Sequence, residues 1–152
     1  MIRKATVEDV PAIAGLINAY AGRDEMLPRP LGELYDCIRD FLVYEKNGAL
    51  MGTAALHVGW KGLAEVRSVA VREGMTGRGI GRRLVAACLK EARALKVNKV
   101  FVLTYAPGFF KTLGFEQSSR GRLPRKVWME CQQKCVKYPD SCNETALILS
   151  LE

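Results

Sequence analysis

The 152-residue sequence predicts an α/β domain, α+β in some classifications, built on one mixed sheet of six or seven strands. First, strand-like runs at Phe41 to Glu45, Leu50 to Gly59 and Ala64 to Val71, with a turn at Lys46-Asn47-Gly48, read as an antiparallel meander. Second, Gly77 to Leu95 carries Leu84, Val85, Cys88, Leu89, Ala92 and Leu95 on one helical face. Third, that helix feeds a further strand, Lys99 to Thr104, and a strand-helix-strand crossover makes this strand a parallel neighbour of Ala64 to Val71.

The flanking elements follow in order. Ile2 to Thr6 reads as a strand, and Thr6 with Asp9 suits the start of a helix whose apolar stripe is Val10, Ile13, Ile17 and Tyr20. A Pro-marked loop, Met26 to Pro30, leads into a second helical pattern of Leu31, Leu34, Tyr35, Ile38 and Phe41. Late in the chain come a short helix around Phe109 to Leu113, a strand opening with Gly114-Phe115, and a last strand, Thr145 to Leu151. Ser118 to Asn143 has the composition of a functional excursion, with Pro124 a possible helix start.

A chain of this length suits a single domain over residues 1–152, burying roughly two-thirds of its unfolded surface. Lys and Arg outnumber Asp and Glu 23 to 16, which favours an anionic partner. The basic runs, Arg78-Arg82-Arg83 and Arg120-Arg122-Arg125-Lys126, are not interleaved with aromatics as a base-stacking surface would be, so no nucleic acid is expected. The stretch Ala49 to Val58 is broken by Gly52 and carries His57, too short and polar for a bilayer span, and Met1 to Asp9 is not an export signal. A cytoplasmic, membrane-free protein is the expectation. Cys37 and Cys88 read as buried thiols. Cys131, Cys135 and Cys142 have a spacing unlike standard zinc patterns, so free thiols or one local disulfide are favoured over a metal.

The turn Thr76-Gly77-Arg78-Gly79-Ile80-Gly81 lies between a strand and a helix. The first amides of a helix lack internal acceptors and the helix dipole favours anions, so a phosphate can sit there where glycines leave the approach open. A turn that merely needs positive φ would select the same residues. There is no Gly-Lys-Ser/Thr ending for a P-loop, and the turn follows the fourth strand rather than the first, unlike a dinucleotide fingerprint.

With Val69-Ala70-Val71 before it and Phe110-Lys111-Thr112-Leu113-Gly114-Phe115 after it, this turn resembles the GCN5-related N-acetyltransferases, whose mark is Gln/Arg-x-x-Gly-x-Gly/Ala after the fourth strand. Thr76 departs from the usual Gln or Arg. The resemblance implies acetyl-CoA as co-substrate. It places Val69 and Val71 against the pantetheine arm, and Thr76, Gly77, Arg78, Gly79, Ile80, Gly81 and Arg82, with Arg83, around the pyrophosphate.

A narrower match lies in Met26-Leu27-Pro28-Arg29, Ala64-Glu65-Val66-Arg67-Ser68-Val69-Ala70-Val71, Phe101-Val102-Leu103-Thr104 and Leu123-Pro124-Arg125-Lys126. These segments look like the acetyltransferase portion of N-acetylglutamate synthases, which implies transfer to the α-amine of glutamate in arginine biosynthesis. The 152 residues do not include those enzymes' amino-acid-kinase domain, so arginine feedback through it is not expected. An α-ammonium group must lose a proton before attack, and Glu65 is the expected base, with His57 as rival. Many family members use a tyrosine at the position of Phe110, so Tyr105 or Thr104 is expected to protonate the departing thiolate. Arg29 and Arg67, with Arg125 or Lys126, are expected on the carboxylates of a small amino-acid substrate. The resemblance also implies a homodimer. Acetylation of another amine, and a CoA-binding sensor without catalysis, are the alternatives.

Overall fold

The computed structural model describes residues 1–22, 28–119, 123 and 144–151. Its framework is a seven-stranded sheet: β1 (Ile2–Lys4), β2 (Phe41–Lys46), β3 (Ala49–Trp60), β4 (Leu63–Val71), β5 (Lys99–Thr104), β6 (Glu116–Gln117) and β7 (Thr145–Ser150), in the spatial order β1-β2-β3-β4-β5-β7-β6. All pairings are antiparallel except β4 with β5, as the crossover requires. Among the described residues four α-helices flank it: α1 (Val10–Ala21), α2 (Leu31–Asp36), α3 (Ile80–Ala94) and α4 (Pro107–Lys111).

Each face has its own core. On one, Ile80, Leu84, Val85, Cys88, Leu89 and Ala92 of α3 and Phe110 of α4 pack on Leu42, Ala54, Leu56, Ala64, Val66 and Val100. Gly52 makes the close approach of α3 to β3 possible, because a Cβ there would lie 3.0 Å from both Ile80 and Leu84. On the other face, Val10, Ile13, Ala14 and Ile17 of α1 and Leu34 of α2 cover Phe41, Val43 and Ala55. The same face continues across β4, β5 and β7 as Leu63, Phe101 and Ala146, capped by Leu123.

Several boundaries differ from the sequence reading, each for a local reason. The second helical pattern breaks at Cys37: α2 ends at Asp36, a 3-10 turn spans Ile38–Asp40, and Phe41 opens β2 with its ring fully buried. Leu31 and Tyr35 are consequently exposed. α3 begins at Ile80, three residues later than expected, because Gly77 and Gly79 adopt φ of +77° and +81°, which no helix uses. It ends before Leu95, which is exposed rather than on the buried face. Thr6 and Asp9 do open a helix through a side-chain reach-back, Thr6 N–H donating to Asp9 Oδ2 at 2.8 Å, but a 3-10 turn, Val7–Asp9, precedes α1. The short late helix begins at Pro107, and β6 starts only after Phe115. Cys88 is buried as expected, and that burial pushes its thiol up to about 12; Cys37 is only half-buried. The expected helix start at Pro124 and the cysteines 131, 135 and 142 lie outside the described residues.

Candidate active site

The sheet is not continuous through its centre. β4 and β5 pair over only three positions, Leu63↔Lys99, Ala64↔Val100 and Glu65↔Phe101. Beyond Glu65 this register ends, leaving Val66–Val71 and Val102–Thr104 as strand edges not paired with each other. An unpaired edge presents main-chain donors and acceptors to any extended ligand that can take the place of a strand.

A β-bulge shapes that edge. Thr53 pairs with Ala70 and Ala55 with Arg67, so β4 carries one residue more than β3 here, and Ser68 takes φ of +57°. Bulges redirect local amides, and this one lies beside Val69. The Val71 carbonyl accepts a 2.6 Å hydrogen bond from the Tyr20 hydroxyl of α1.

Past β4, the turn 72–79 presents Thr76, Gly77, Arg78 and Gly79, all exposed, ahead of the α3 N-terminus. Gly81 sits in the first turn of α3, where a Cβ would meet the Phe109 ring at 3.4 Å and Val71 Cγ2 at 3.7 Å. Arg82 donates a long 3.5 Å bond to Thr112 Oγ1, and Arg83 a similar one to the Tyr44 hydroxyl; the bulk of both side chains is exposed. The glycine turn, helix start and arginines therefore gather at the open end of β4, where the first amides of a helix lack internal acceptors and suit an anion.

At the closed end, residues opposite each other in register share a sheet face, so His57, Glu65 and Phe101 lie on one face, as do Ala55 and Arg67. Glu65 and Arg67 are mostly buried, and Arg67 Nη2 donates to Glu65 Oε1 at 2.9 Å. His57 Nδ1 pairs with Asp40 Oδ2 at 2.8 Å. The carboxylate can only accept, which fixes a proton on Nδ1 and points Nε2 elsewhere. The rival base is thus tied to a carboxylate of its own, directly across the ladder from Glu65.

Arg29, from the segment before α2, reaches the bulge. Its Nη1 donates to Ser68 Oγ at 3.1 Å, its Nη2 to Glu33 Oε1 at 2.7 Å, and its guanidinium carbon stands 5.9 Å from the Phe41 ring centroid. With five N–H donors, a guanidinium held at two points keeps others for a further carboxylate. On the β5 side, Thr104 is buried and its Oγ1 accepts the Ala106 N–H at 2.9 Å, while Tyr105 is half-buried. Phe110, where the family commonly has tyrosine, is a core residue edge-on to Phe109 and Phe115. Arg125 and Lys126 lie outside the described residues.

The sequence reading thus placed Glu65, Arg67, Val69 and Val71 on one strand and the glycine turn at its open end. It did not find Glu33, Asp40, Ser68 or Tyr20. The Arg29-x-x-x-Glu33 spacing is the one readable signal among these, since a side chain just ahead of a helix can reach a carboxylate in its first turn.

Residues 12–115 match the acetyltransferase (GNAT) family. An uncharacterised N-acetyltransferase of Chlorobaculum tepidum is 37% identical over 150 residues, covering 99% of this chain and 96% of that protein. An amino-acid acetyltransferase of Mycobacterium tuberculosis is 42% identical over 120 residues, covering 77% of this chain and 68% of that one. The crystal structure of N-acetylglutamate synthase from Neisseria gonorrhoeae, complexed with coenzyme A and N-acetyl-glutamate, superposes with a TM-score of 0.91 at 27% identity over 100% of this chain, which spans 35% of the Neisseria chain. Strand order, the parting of β4 and β5, the glycine turn and these likenesses agree: the chain belongs to the GNAT acetyltransferase family and is an acetyl-CoA-dependent N-acetyltransferase of the amino-acid acetyltransferase type.

Proposed function

We propose that the acceptor is the α-amine of L-glutamate, so that the chain forms N-acetylglutamate for arginine biosynthesis. The observation that carries this reading is the convergence on β4 of one carboxylate, Glu65, and two guanidiniums, Arg67 and the Ser68-held Arg29, where β4 leaves β5. A dicarboxylate with an adjacent ammonium group complements that arrangement, and bidentate arginine contacts hold carboxylates with directional precision. The likeness to the Neisseria synthase, solved with N-acetyl-glutamate, supports the same choice.

In this reading the edge of Val69 and Val71 holds the pantetheine arm, and the amides of the turn, with Arg78, Arg82 and Arg83, hold the pyrophosphate. Arg29 takes the α-carboxylate, and Arg67 with Arg125 or Lys126 the side-chain carboxylate. Glu65 accepts the ammonium proton, directly or through a water, freeing the nitrogen lone pair for attack on the thioester carbonyl. A main-chain amide near Val69 stabilises the oxyanion as the C–N bond forms. When the C–S bond breaks, Tyr105 supplies the proton that the thiolate takes up; Thr104, an aliphatic alcohol rather than a phenol, is the weaker acid.

The test is release of free CoA from acetyl-CoA with glutamate against a panel of amino acids, polyamines and peptide N-termini. Glutamate should give the highest kcat/KM. A polyamine or peptide preferred over it overturns the acceptor assignment, and no release with any amine overturns the mechanism.

A further inference from the structure

The Tyr20 hydroxyl, near the C-terminal end of α1, donates to the carbonyl oxygen of Val71, the last residue of β4. The ladder gives the direction of that carbonyl. Arg72 N–H donates to Met51 O at 2.7 Å, so the peptide between Val71 and Arg72 points its N–H at β3. Its carbonyl therefore points the opposite way, to the side of β4 facing β5, where pairing has already ended at Glu65↔Phe101. One peptide is thus gripped from both sides, by β3 through its N–H and by α1 through its C=O.

That peptide is the hinge between two different surfaces. Before it lies the open, bulged edge of β4; after it comes a turn in which Gly74, Gly77 and Gly79 all have positive φ, a conformation glycine adopts without steric cost. Without a grip at residue 71 the turn could swing relative to the strand.

We propose that Tyr20 is a positioning residue for coenzyme A: by clamping the Val71–Arg72 peptide it sets the angle between the strand edge that takes the pantetheine arm and the turn that takes the phosphates. This inference rests on the assignment of edge and turn to CoA made above. Its signature is connectivity. Either fragment of the ligand alone fits its own surface whatever the angle between them, whereas the whole molecule must satisfy both at once.

The experiment is calorimetric titration of wild type and Tyr20→Phe with CoA and with 3′-phosphoadenosine 5′-diphosphate, the phosphate-bearing fragment. Phenylalanine keeps the ring, and a melting curve confirms that the variant is folded. CoA should bind about fivefold more weakly, the size of one net hydrogen bond, with the fragment changed less than about twofold. In steady state, KM for acetyl-CoA should rise while kcat and KM for the amine stay put. Unchanged CoA affinity, or an equal loss for CoA and fragment, overturns the inference. A Gly79→Ala variant separates the two layers: if it weakens CoA while Tyr20→Phe does not, only the role of Tyr20 fails; if Gly79→Ala also leaves CoA binding intact, the assignment of the turn fails.

Discussion

On the side proposed for the acetyl donor the site offers main chain: an edge from Val66 to Val71 that is not paired with β5, a bulge at Ser68, and an exposed glycine-rich turn. On the side proposed for the acceptor it offers side chains held by partners: Arg29 with Glu33 and Ser68, Glu65 with Arg67, His57 with Asp40. Main-chain recognition depends on backbone shape and tolerates changes of side chain, so on the proposed assignment Thr76 can stand where the family usually has Gln or Arg. Paired charges depend on the identity of every member. Removing one partner leaves the other desolvated and unmatched.

The contrast breaks most sharply at Glu65. Glu65→Gln keeps the shape and removes the proposed base, so kcat should fall by about 10² to 10⁴, with the calorimetric affinity for CoA within about twofold of wild type. A variant that keeps its rate removes Glu65 from the proton path and turns attention to His57 across the ladder. Arg29→Lys is the next test. Lysine keeps the charge but loses the fork that spans Ser68, Glu33 and a substrate carboxylate, so KM for glutamate should rise about 10- to 100-fold with KM for acetyl-CoA unchanged. Equal rises in both would show that the two sides of the site are not separable.

The same contrast explains what could be read from the sequence. Glycines after an apolar strand and before an amphipathic helix report backbone shape directly, so the sheet, the crossover and the place of the glycine turn after β4 were legible at residues 64–104. The rest depends on which groups meet across about 40 to 50 positions, as Arg29 meets Ser68 and Tyr20 meets Val71, and no local pattern encodes such meetings. The extra residue at Ser68 was invisible for a related reason. In sequence the alternation lapses at Arg67-Ser68 and Val69-Ala70-Val71 without saying why, and only pairing with β3 reveals that two residues of β4 oppose one. At the second helix the apolar spacing through Phe41 was genuine, but its residues are divided among α2, a 3-10 turn and β2.

Away from both sides of the site, Arg3 forks onto both oxygens of Asp9 at 2.7 and 2.9 Å and onto Glu45 at 3.0 Å, tying β1 to the start of α1. The hydrogen bonds from Arg3 hold the Asp9 carboxyl at about 2, below its usual 3.8, against an opposing effect of burial. A carboxylate with a depressed folded pKa stabilises the fold above its unfolded value and loses that contribution as pH falls through the folded one. On the order of 2 kcal/mol should therefore disappear between about pH 4 and pH 2, and Asp9→Asn should lose it at every pH and flatten the acid limb. Denaturant melts from pH 2 to 7 check this; an unaltered acid limb in the variant would assign the loss to other carboxylates.

Thr76→Arg probes the tolerance of the donor side and carries the smallest expected effect. Thr76 is exposed at the head of the turn, so the longer side chain meets no packing obstacle and adds a guanidinium where the family usually has Gln or Arg. An exposed contact to a phosphate is screened by solvent, so CoA should bind only about two- to fivefold tighter, less so in high salt. The acceptor's KM should not move, because Arg29 and Glu65 lie at the other end of β4 and share no partner with residue 76. A Thr76→Arg protein that gains nothing for CoA would mean that the amides of the turn already supply the donor side, and that main chain alone is sufficient there.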